Sequence, residues 1–169
     1  MTPRWADRLT AREWGLVATA VSLALDQGSK LLLLYGYGFH AMRAGQAIRV
    51  LPFFNLVMMW NPGISYSLFP AHSLFGVVLL AVLATIAVAV LGWFLWQTTR
   101  RPLAVGLGLV VGGALGNLID RLIYGAVADF FHFHAFGYDW YVFNVADIAI
   151  TFGVMTLLYD ALLRPDAQN

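Results

Sequence analysis

Residues 103–123 read LAVGLGLVVGGALGNLIDRLI, and this stretch decides the fold. Its apolar run is long enough to cross a bilayer as a helix, which takes roughly 20 residues. Glycine recurs at every fourth position, at Gly108, Gly112 and Gly116. Small residues at this spacing let two helices approach closely in lipid. The stretch therefore predicts a spanning helix that packs tightly against a neighbour and carries its polar residues, Asp120 and Arg121, at one end.

The rest of the chain shares this apolar character. Of its 169 residues, 60% are hydrophobic and only 11% are charged, and the mean hydropathy is +0.73. These values lie far from those of an ordinary soluble domain. We therefore predict an all-α integral membrane protein that forms one domain, residues 1–169. Its four transmembrane helices are expected at about residues 14–34, 73–96, 103–123 and 142–163.

The connection between the first two predicted helices, residues 36–70, has features of β-structure. It contains apolar residues in a strand-like arrangement, namely Ile48, Val50, Phe53, Phe54, Leu56 and Val57. Glycine and proline residues in the same segment supply turn positions. The segment is too short for a domain, so we expect a small β-element in this first outer loop.

Basic residues indicate the orientation in the membrane. Six arginines fall on one side of a four-span protein, namely Arg4, Arg8, Arg12, Arg100, Arg101 and Arg164. The positive-inside rule makes that side cytoplasmic. Two further arginines lie in the loop 36–70, so the bias is clear but not absolute. We expect both termini in the cytoplasm and the loop on the outer side.

Composition also excludes several functions. A net charge of +1 argues against a nucleic-acid partner. The absence of cysteine excludes disulfides, thiol catalysis and thiolate metal sites. His132 and His134 alternate in a loop, and two histidines without a third ligand are weak evidence for a metal. We therefore predict no metal and no cofactor.

Two aspartates have no basic residue near them in the sequence. Asp147 lies at the start of an apolar segment, and Asp129 lies just past the end of another. Placing an ionisable side chain in or at the bilayer costs free energy, so such a residue is taken by default to have a function. At a rise of about 1.5 Å per residue, both aspartates fall near the outer side, where they can share one site.

Other aspartates have partners or water within reach. Asp26 and Lys30 stand at i and i+4 and can neutralise each other on one helix face. A bend at the end of the third span would join Asp120 to Arg121, and Asp139 lies in a loop.

By elimination, Asp129 and Asp147 are left as a pair of carboxylates that shares one proton. In aspartic proteases, the ionised partner of such a pair takes a proton from water and the protonated one polarises the scissile carbonyl.

Alternatives remain at this stage. Asn117 and Asp120 have the same Asn-x-x-Asp spacing as Asn144 and Asp147, which sets both side chains on one helix face. This spacing equally favours Asp120 and Asp147 as the pair. A small proton-coupled transporter would also carry carboxylates in its spans, near the midplane or at several depths. A non-catalytic membrane adaptor would need neither carboxylate. A serine–lysine protease is not favoured, because Ser29 and its neighbour point in different directions on a helix.

Five blocks of sequence carry a resemblance to a known family. They are Leu25-Asp26-Gln27-Gly28-Ser29-Lys30, Asn61-Pro62-Gly63, Gly112-Gly113-Ala114-Leu115-Gly116-Asn117-Leu118-Ile119-Asp120-Arg121, Val127-Ala128-Asp129-Phe130 and Phe143-Asn144-Val145-Ala146-Asp147. In this order, on four predicted spans, they resemble the bacterial lipoprotein signal peptidase (signal peptidase II) family.

The resemblance implies an aspartyl endopeptidase of the bacterial inner membrane with its site towards the outer face. Its substrate would be a prolipoprotein whose lipobox cysteine carries diacylglycerol, cut on the amino side of that cysteine. The family uses no metal and is inhibited by the cyclic lipopeptide globomycin. We expect the protein to be a monomer.

The resemblance also implies roles for residues. The family's catalytic dyad matches Asp129 and Asp147. Family positions that bind substrate or support the site match Asp26, Lys30, Asn61, Gly63, Asn117, Asp120, Arg121 and Asn144. The chain departs from the family pattern at Pro62, Ile64 and Ser65 in one block and at Ala128 in another, and neither departure removes a catalytic group.

Overall fold

A computed structural model describes residues 9–43, 46–63 and 74–163. Within them the long helices are α1 (Ala11–Leu31), α2 (Leu74–Gln97), α3 (Arg101–Tyr124) and α4 (Val145–Leu163). A π-helical turn, Leu32–Gly36, extends α1, and a short 3₁₀ helix, Phe39–Ala41, follows it. The strands are β1 (Ala47–Leu51), β2 (Phe54–Asn61), β3 (Val127–Ala135) and β4 (Tyr138–Asp139).

Local sequence explains where the helices begin and end. Thr10 and Glu13 form a reciprocal capping box at the start of α1. Helix α3 has Pro102 in its first turn, where a backbone N–H has no partner within the helix and proline therefore costs no hydrogen bond. It ends at Gly125, whose φ of 72° lies in the left-handed region that glycine adopts without strain.

Four helices are long and apolar enough to cross a membrane, which confirms the four predicted spans. The first helical segment, Ala11–Gly36, is slightly longer than predicted. The last begins at Val145 rather than at 142, because Phe143 pairs with β3 and Asn144 caps the helix. Some residues named in the sequence analysis lie outside the described ranges, namely Arg4, Arg8, Arg164, Ile64, Ser65 and loop residues 44–45 and 64–70. The orientation in the membrane stays a prediction.

Helix α3 is the centre of the bundle and packs against the other three helices. Its glycine face lies against α1, which confirms the close approach to a neighbouring helix that the spacing predicted. A Cβ atom at Gly112 would overlap the backbone oxygen of Thr19 and the hydroxyl of Ser22. On another side, a Cβ at Gly113 would come within 2.6 Å of the carbonyl oxygen of Ala146 at the start of α4. The glycines therefore set the distance between α3 and two of its neighbours.

The strands form one antiparallel sheet in the order β1-β2-β3-β4. The first two strands lie between α1 and α2, and the last two lie between α3 and α4. The prediction of a β-element confined to the loop 36–70 is therefore not confirmed, since half of the strands come from a second connection. In the register of β2 and β3, Met59 is opposite Asp129 and Asn61 is opposite Val127.

The close approach of α3 to α1 leads to a stability prediction. Gly112→Ala should lower the free energy of unfolding by roughly 1–3 kcal/mol, because the backbone of Thr19 cannot move aside for the added methyl group. Thermal unfolding in detergent measures this change.

Gly92→Ala in α2 is the matched control, because a Cβ atom there meets no heavy atom within 4 Å. This substitution should be neutral or slightly stabilising, since alanine favours a helix over glycine by about 1 kcal/mol. Equal melting temperatures for the two variants would contradict the packing described for Gly112.

Candidate active site

Asp129 and Asp147 come together because β3 pairs with Phe143, which lies just before α4. The backbone N–H groups of Phe130 and Phe131 donate to the carbonyl oxygen of Phe143 at 3.1 and 2.8 Å. Asp129 is the residue just before this contact and is only 1% exposed. Asp147 lies in the first turn of α4. The pairing therefore brings the start of β3 to the start of α4, with both carboxylates at the same end of the bundle.

Asn144 bridges the two aspartates. Its Nδ2 donates to Asp129 Oδ1 at 2.6 Å. Its backbone N–H donates to Asp147 Oδ2 at 3.2 Å, and its Oδ1 accepts the backbone N–H of Asp147 at 3.0 Å. These last two bonds form a reciprocal cap at the N-terminus of α4. Asn144 thus contacts both carboxylates, that of Asp129 through its side chain and that of Asp147 through its backbone N–H.

Two further asparagines complete the hydrogen bonding of the pair. Asn117 of α3 donates from Nδ2 to Asp147 Oδ1 at 3.1 Å. Asn61 at the end of β2 donates from Nδ2 to Asp129 Oδ2 at 3.1 Å. Each of the four carboxylate oxygens therefore accepts one N–H. Among the described residues, neither carboxylate forms a salt bridge with lysine or arginine.

A second set of charges lies buried beside this pair. Lys30 Nζ is 2.8 Å from Asp26 Oδ2 and 2.8 Å from Asp120 Oδ2. All three residues are nearly inaccessible. The predicted pairing of Asp26 with Lys30 is confirmed. The suggested pairing of Asp120 with Arg121 is wrong, because α3 continues without a bend to Tyr124 and the two side chains point in different directions.

The charged set also holds the backbone next to the pair. Asp120 Oδ2 accepts the N–H of Ala128 at 3.1 Å, and Asp26 Oδ1 accepts the N–H of Ala146 at 2.9 Å. Ala128 and Ala146 each come immediately before one aspartate of the pair. The Lys30 cluster (Asp26, Lys30 and Asp120) therefore fixes the backbone from which both carboxylates project.

Sequence reasoning missed the contribution of Gln27. Its Nε2 lies within hydrogen-bond distance of Asp26 Oδ2 at 3.1 Å, Asp120 Oδ1 at 3.2 Å and the carbonyl oxygen of Gly116 at 3.2 Å. The signal was available, because Gln27 is a polar residue inside a spanning segment and lies next to Asp26. An amide at this position connects α1 to α3 without adding charge.

A cavity of about 270 Å³ opens at the pair. Its lining comprises Asn61, Gly63, Ala84, Ala114, Asn117, Arg121, Val127, Asp129, Asp147 and Ile150. Arg121 donates to the carbonyl oxygens of Gly63 at 2.9 Å and Asn117 at 3.1 Å, so it holds the chain after β2 at the cavity. Its Nε has no hydrogen-bond partner among the described residues. The cavity therefore combines two acids, one cation and small apolar side chains.

Asp129 has an unusual protonation equilibrium for a carboxyl group. Burial and then the nearby charge of Asp147 raise the pKa of Asp129 from 3.8 to about 7. The amide donors of Asn61 and Asn144 oppose this rise only in part. A proton is therefore held on the pair near neutral pH, which permits one carboxyl group to donate a proton while the other accepts one.

The structure separates the predicted site residues into two groups. Asn61, Gly63, Asn117, Arg121, Asp129 and Asp147 line the cavity, while Asp26, Lys30, Asp120 and Asn144 support it through hydrogen bonds. The alternative pairing of Asp120 with Asp147 is not favoured, because the Asp120 carboxylate is already bound to Lys30 and to the backbone. The catalytic assignment itself stays a prediction.

The two histidines are not arranged as a metal site. His132 Nε2 lies 3.3 Å from Asp139 Oδ1 on the neighbouring strand. Among the described residues, no group of three or more histidine, cysteine, aspartate or glutamate side chains is placed to hold a metal ion. The absence of a metal requirement stays a prediction for the whole chain.

Comparison with protein families gives a match over most of the chain. The model of the peptidase A8 family, signal peptidase (SPase) II, matches residues 18–163. A lipoprotein signal peptidase of Rhodopseudomonas palustris (strain ATCC BAA-98 / CGA009) is 47% identical over 92% of this chain and 95% of its own length. A lipoprotein signal peptidase of Methylorubrum extorquens (strain PA1) is 48% identical over 93% of this chain and 90% of its own.

Solved structures give the same fold. A bacterial membrane enzyme solved by the in meso method at 2.3 Å resolution aligns with a TM-score of 0.78 and 25% sequence identity, over 92% of this chain and 91% of that one. A second bacterial membrane enzyme, at 1.9 Å resolution, aligns with a TM-score of 0.74 and 27% identity, over 89% of this chain and 93% of that one.

The buried cation leads to a prediction about stability. Lys30→Met should lower the free energy of unfolding by roughly 3–5 kcal/mol, because it leaves Asp26 and Asp120 buried without their counter-charge. Chemical unfolding in detergent measures the loss.

Arg100→Met is the comparison variant, since the Arg100–Asp160 bridge is partly exposed and should contribute much less. If Lys30→Met were no more harmful than Arg100→Met, the Lys30 cluster would not have the role assigned to it.

Proposed function

This chain belongs to the signal peptidase II family, and we propose that Asp129 and Asp147 are the carboxylates with which it hydrolyses its substrate. It is a membrane aspartic peptidase that removes signal peptides from prolipoproteins. The alternative of a proton-coupled transporter is not supported. The observation that carries the catalytic assignment is the bridge of Asn144 between two buried carboxylates that lack a salt bridge of their own within the described chain.

The pair is arranged for general acid–base hydrolysis of a peptide bond. It holds one proton near neutral pH, as the raised pKa of Asp129 indicates. The ionised carboxylate takes a proton from water, and the hydroxide equivalent attacks the scissile carbonyl carbon. The protonated carboxyl group donates to the carbonyl oxygen, which gives a tetrahedral intermediate. The carboxyl group that took the proton from water then gives it to the leaving amine, and its partner regains a proton from the intermediate as the C–N bond breaks. Asn117 and Asn144 keep the Asp147 carboxylate in one orientation during these transfers.

Arg121 supplies the polar side of the cavity in this proposal. Its guanidinium is held by two carbonyl oxygens, and its Nε donor is left over among the described residues. A substrate carbonyl oxygen entering the cavity would satisfy this donor, which is costly to leave buried and unpaired. The same bond would position the peptide next to Asp129 and Asp147.

The apolar side of the cavity suits a lipid-modified substrate. Ala84 of α2, Ala114 of α3 and Ile150 of α4 form this side, so the cavity is bounded there by apolar side chains of three helices. We propose a diacylglyceryl-modified cysteine as the recognition element, with cleavage on its amino side. Burial of acyl chains between helices contributes about 0.8 kcal/mol per CH₂, which lets a small site recognise lipid rather than an extended sequence.

The remaining features of the proposal concern the setting. The protein is a single membrane-embedded domain, 1–169, of the bacterial inner membrane, with both termini in the cytoplasm. Arg12, Arg100 and Arg101 lie at the end of the bundle opposite the site and support this orientation. The sheet and the active site then face outwards. We propose a monomer, without cofactor or metal, that a globomycin-type cyclic lipopeptide inhibits.

Substitution of either carboxylate tests the catalytic assignment. Asp129→Asn and Asp147→Asn should each reduce cleavage of a diacylglyceryl-modified prolipoprotein by at least about 10³-fold, because an amide cannot transfer the proton. Both variants should keep the melting temperature of a folded protein. The measurement is cleavage by purified protein in detergent, with unlipidated substrate as the test of lipid recognition.

Asp139→Asn is the control, because Asp139 is an exposed aspartate on the same sheet and outside the cavity. It should cleave at the normal rate. Full turnover by either variant of the pair would refute the assignment, whereas equal rates for lipidated and unlipidated substrate would refute only the lipid proposal.

The raised pKa of Asp129 leads to a pH prediction. Below about pH 7 the pair keeps its shared proton, and above it Asp129 ionises and the protonated acid is lost. The ratio kcat/KM, which reports the pKa values of the enzyme without substrate, should therefore fall as the pH rises through about 7, with the fold retained. A kcat/KM that stays constant from pH 6 to pH 9 would contradict proton sharing by the pair.

A further inference from the structure

The end of the sheet away from Asp129 is built from aromatic side chains. The aromatic tip consists of Phe53, Phe133, Phe136, Tyr138 and Trp140. Phe53 comes from the turn between β1 and β2, and the others come from β3, β4 and the residues next to β4. The N–H of His134 donates to the carbonyl oxygen of Phe53 at 3.0 Å, which ties the two hairpin ends together. The tip is therefore one surface formed by two segments.

This surface is apolar and open. Phe136 is fully exposed, and Tyr138 and Trp140 are 81% and 61% exposed. A cavity of about 280 Å³ is lined by the four tip residues other than Phe136, with His134 and Ala135. Exposed apolar patches of this kind mark an interaction surface more often than a surface in contact with water.

The backbone at Phe136 is strained. Its φ is 53°, and it is the one residue other than glycine with a positive φ in the described parts of the chain. A bulky residue in this region costs roughly 1–2 kcal/mol, which glycine would avoid. The neighbouring Gly137 has a φ of 79°, so the turn already contains a glycine. Within the described chain, no packing accounts for Phe136, because its side chain is fully exposed.

Charge and position indicate what covers the tip. No lysine or arginine occurs in residues 127–141, and the one carboxylate of β4, Asp139, lies 3.3 Å from His132. Strand β3 follows directly on the end of the spanning helix α3, so the sheet starts at the level of the membrane surface. A nine-residue strand such as β3 spans about 30 Å, which separates the tip from the end of α3.

We propose that the aromatic tip enters the headgroup region of the bilayer and anchors the sheet against the membrane surface. Tyrosine and tryptophan prefer this region because their rings are apolar and their polar atoms still reach water. Phe136, the most exposed of the five side chains, inserts deepest. The anchor holds the sheet at a constant depth, and with it Asp129 on β3.

The chain offers a direct test because it has no cysteine. Ala135→Cys, an exposed position within the tip that leaves all five aromatic side chains in place, carries a nitroxide spin label. The protein is placed in vesicles of phosphatidylethanolamine and phosphatidylglycerol. Collision rates of the label with oxygen, which enters lipid, and with a water-soluble nickel chelate then report its depth.

The label at residue 135 should collide more often with oxygen than with the nickel chelate. A label at Leu83→Cys, on the lipid-facing side of α2, is the reference for this behaviour. A label at Arg43→Cys, exposed and outside the tip, gives the reference for water. Equal chelate access at 135 and 43 would overturn the proposal and favour a protein partner for the tip.

A second variant separates anchoring from folding. Adding Phe136→Gly to the labelled protein should move the label towards water, with at least a twofold gain in chelate access. The melting temperature in detergent should not fall, because glycine adopts the φ of 53° without strain. An unchanged label depth after Phe136→Gly, and after the further changes Tyr138→Ser and Trp140→Ser, would overturn the proposal.

Discussion

The ammonium group of Lys30, held between two buried carboxylates, is the interaction on which the active end of this protein depends. Asp26 lies on the same helix as Lys30, and Asp120 lies on α3. Helices in lipid associate without a hydrophobic driving force, because the lipid tails are as apolar as the side chains, so packing and polar contacts decide how they are aligned. A buried charge that must reach two partners allows few registers. The cluster therefore aligns α1 with α3 as well as neutralising its members.

Close packing makes this cluster possible. A Cβ atom at Gly116 would overlap the carboxylate of Asp26, so glycine at this position leaves the space that the acid occupies. Farther along the same face, Gly112 lets the backbone of α1 approach α3. The glycine face and the charged cluster are thus two parts of one interface. The first brings the helices together, and the second determines how they are aligned.

Four aspartates lie close together at this end, and their partners distinguish their roles. Asp26 and Asp120 each accept from the cation of Lys30 and from a backbone N–H. Asp129 and Asp147 accept from amide and backbone donors and have no salt bridge in the described structure. Burial and the nearby charge of Asp147 raise the pKa of Asp129 to about 7, so this pair retains a proton near neutral pH. The two acids proposed for catalysis are therefore those that form no salt bridge within the described residues.

The sequence by itself determined the four spans, the glycine face of α3 and the pairing of Asp26 with Lys30. Each of these depends on local spacing along a helix or on composition, which one chain segment contains in full. The five blocks were also enough to predict the family that the comparisons then showed. Only the tertiary structure decided that Lys30 also binds Asp120, that Asn144 bridges the two acids and that β3 completes the sheet begun by β1 and β2. These contacts join segments far apart in the chain. Their geometry follows from how the helices and strands pack, and no periodicity within one segment specifies it.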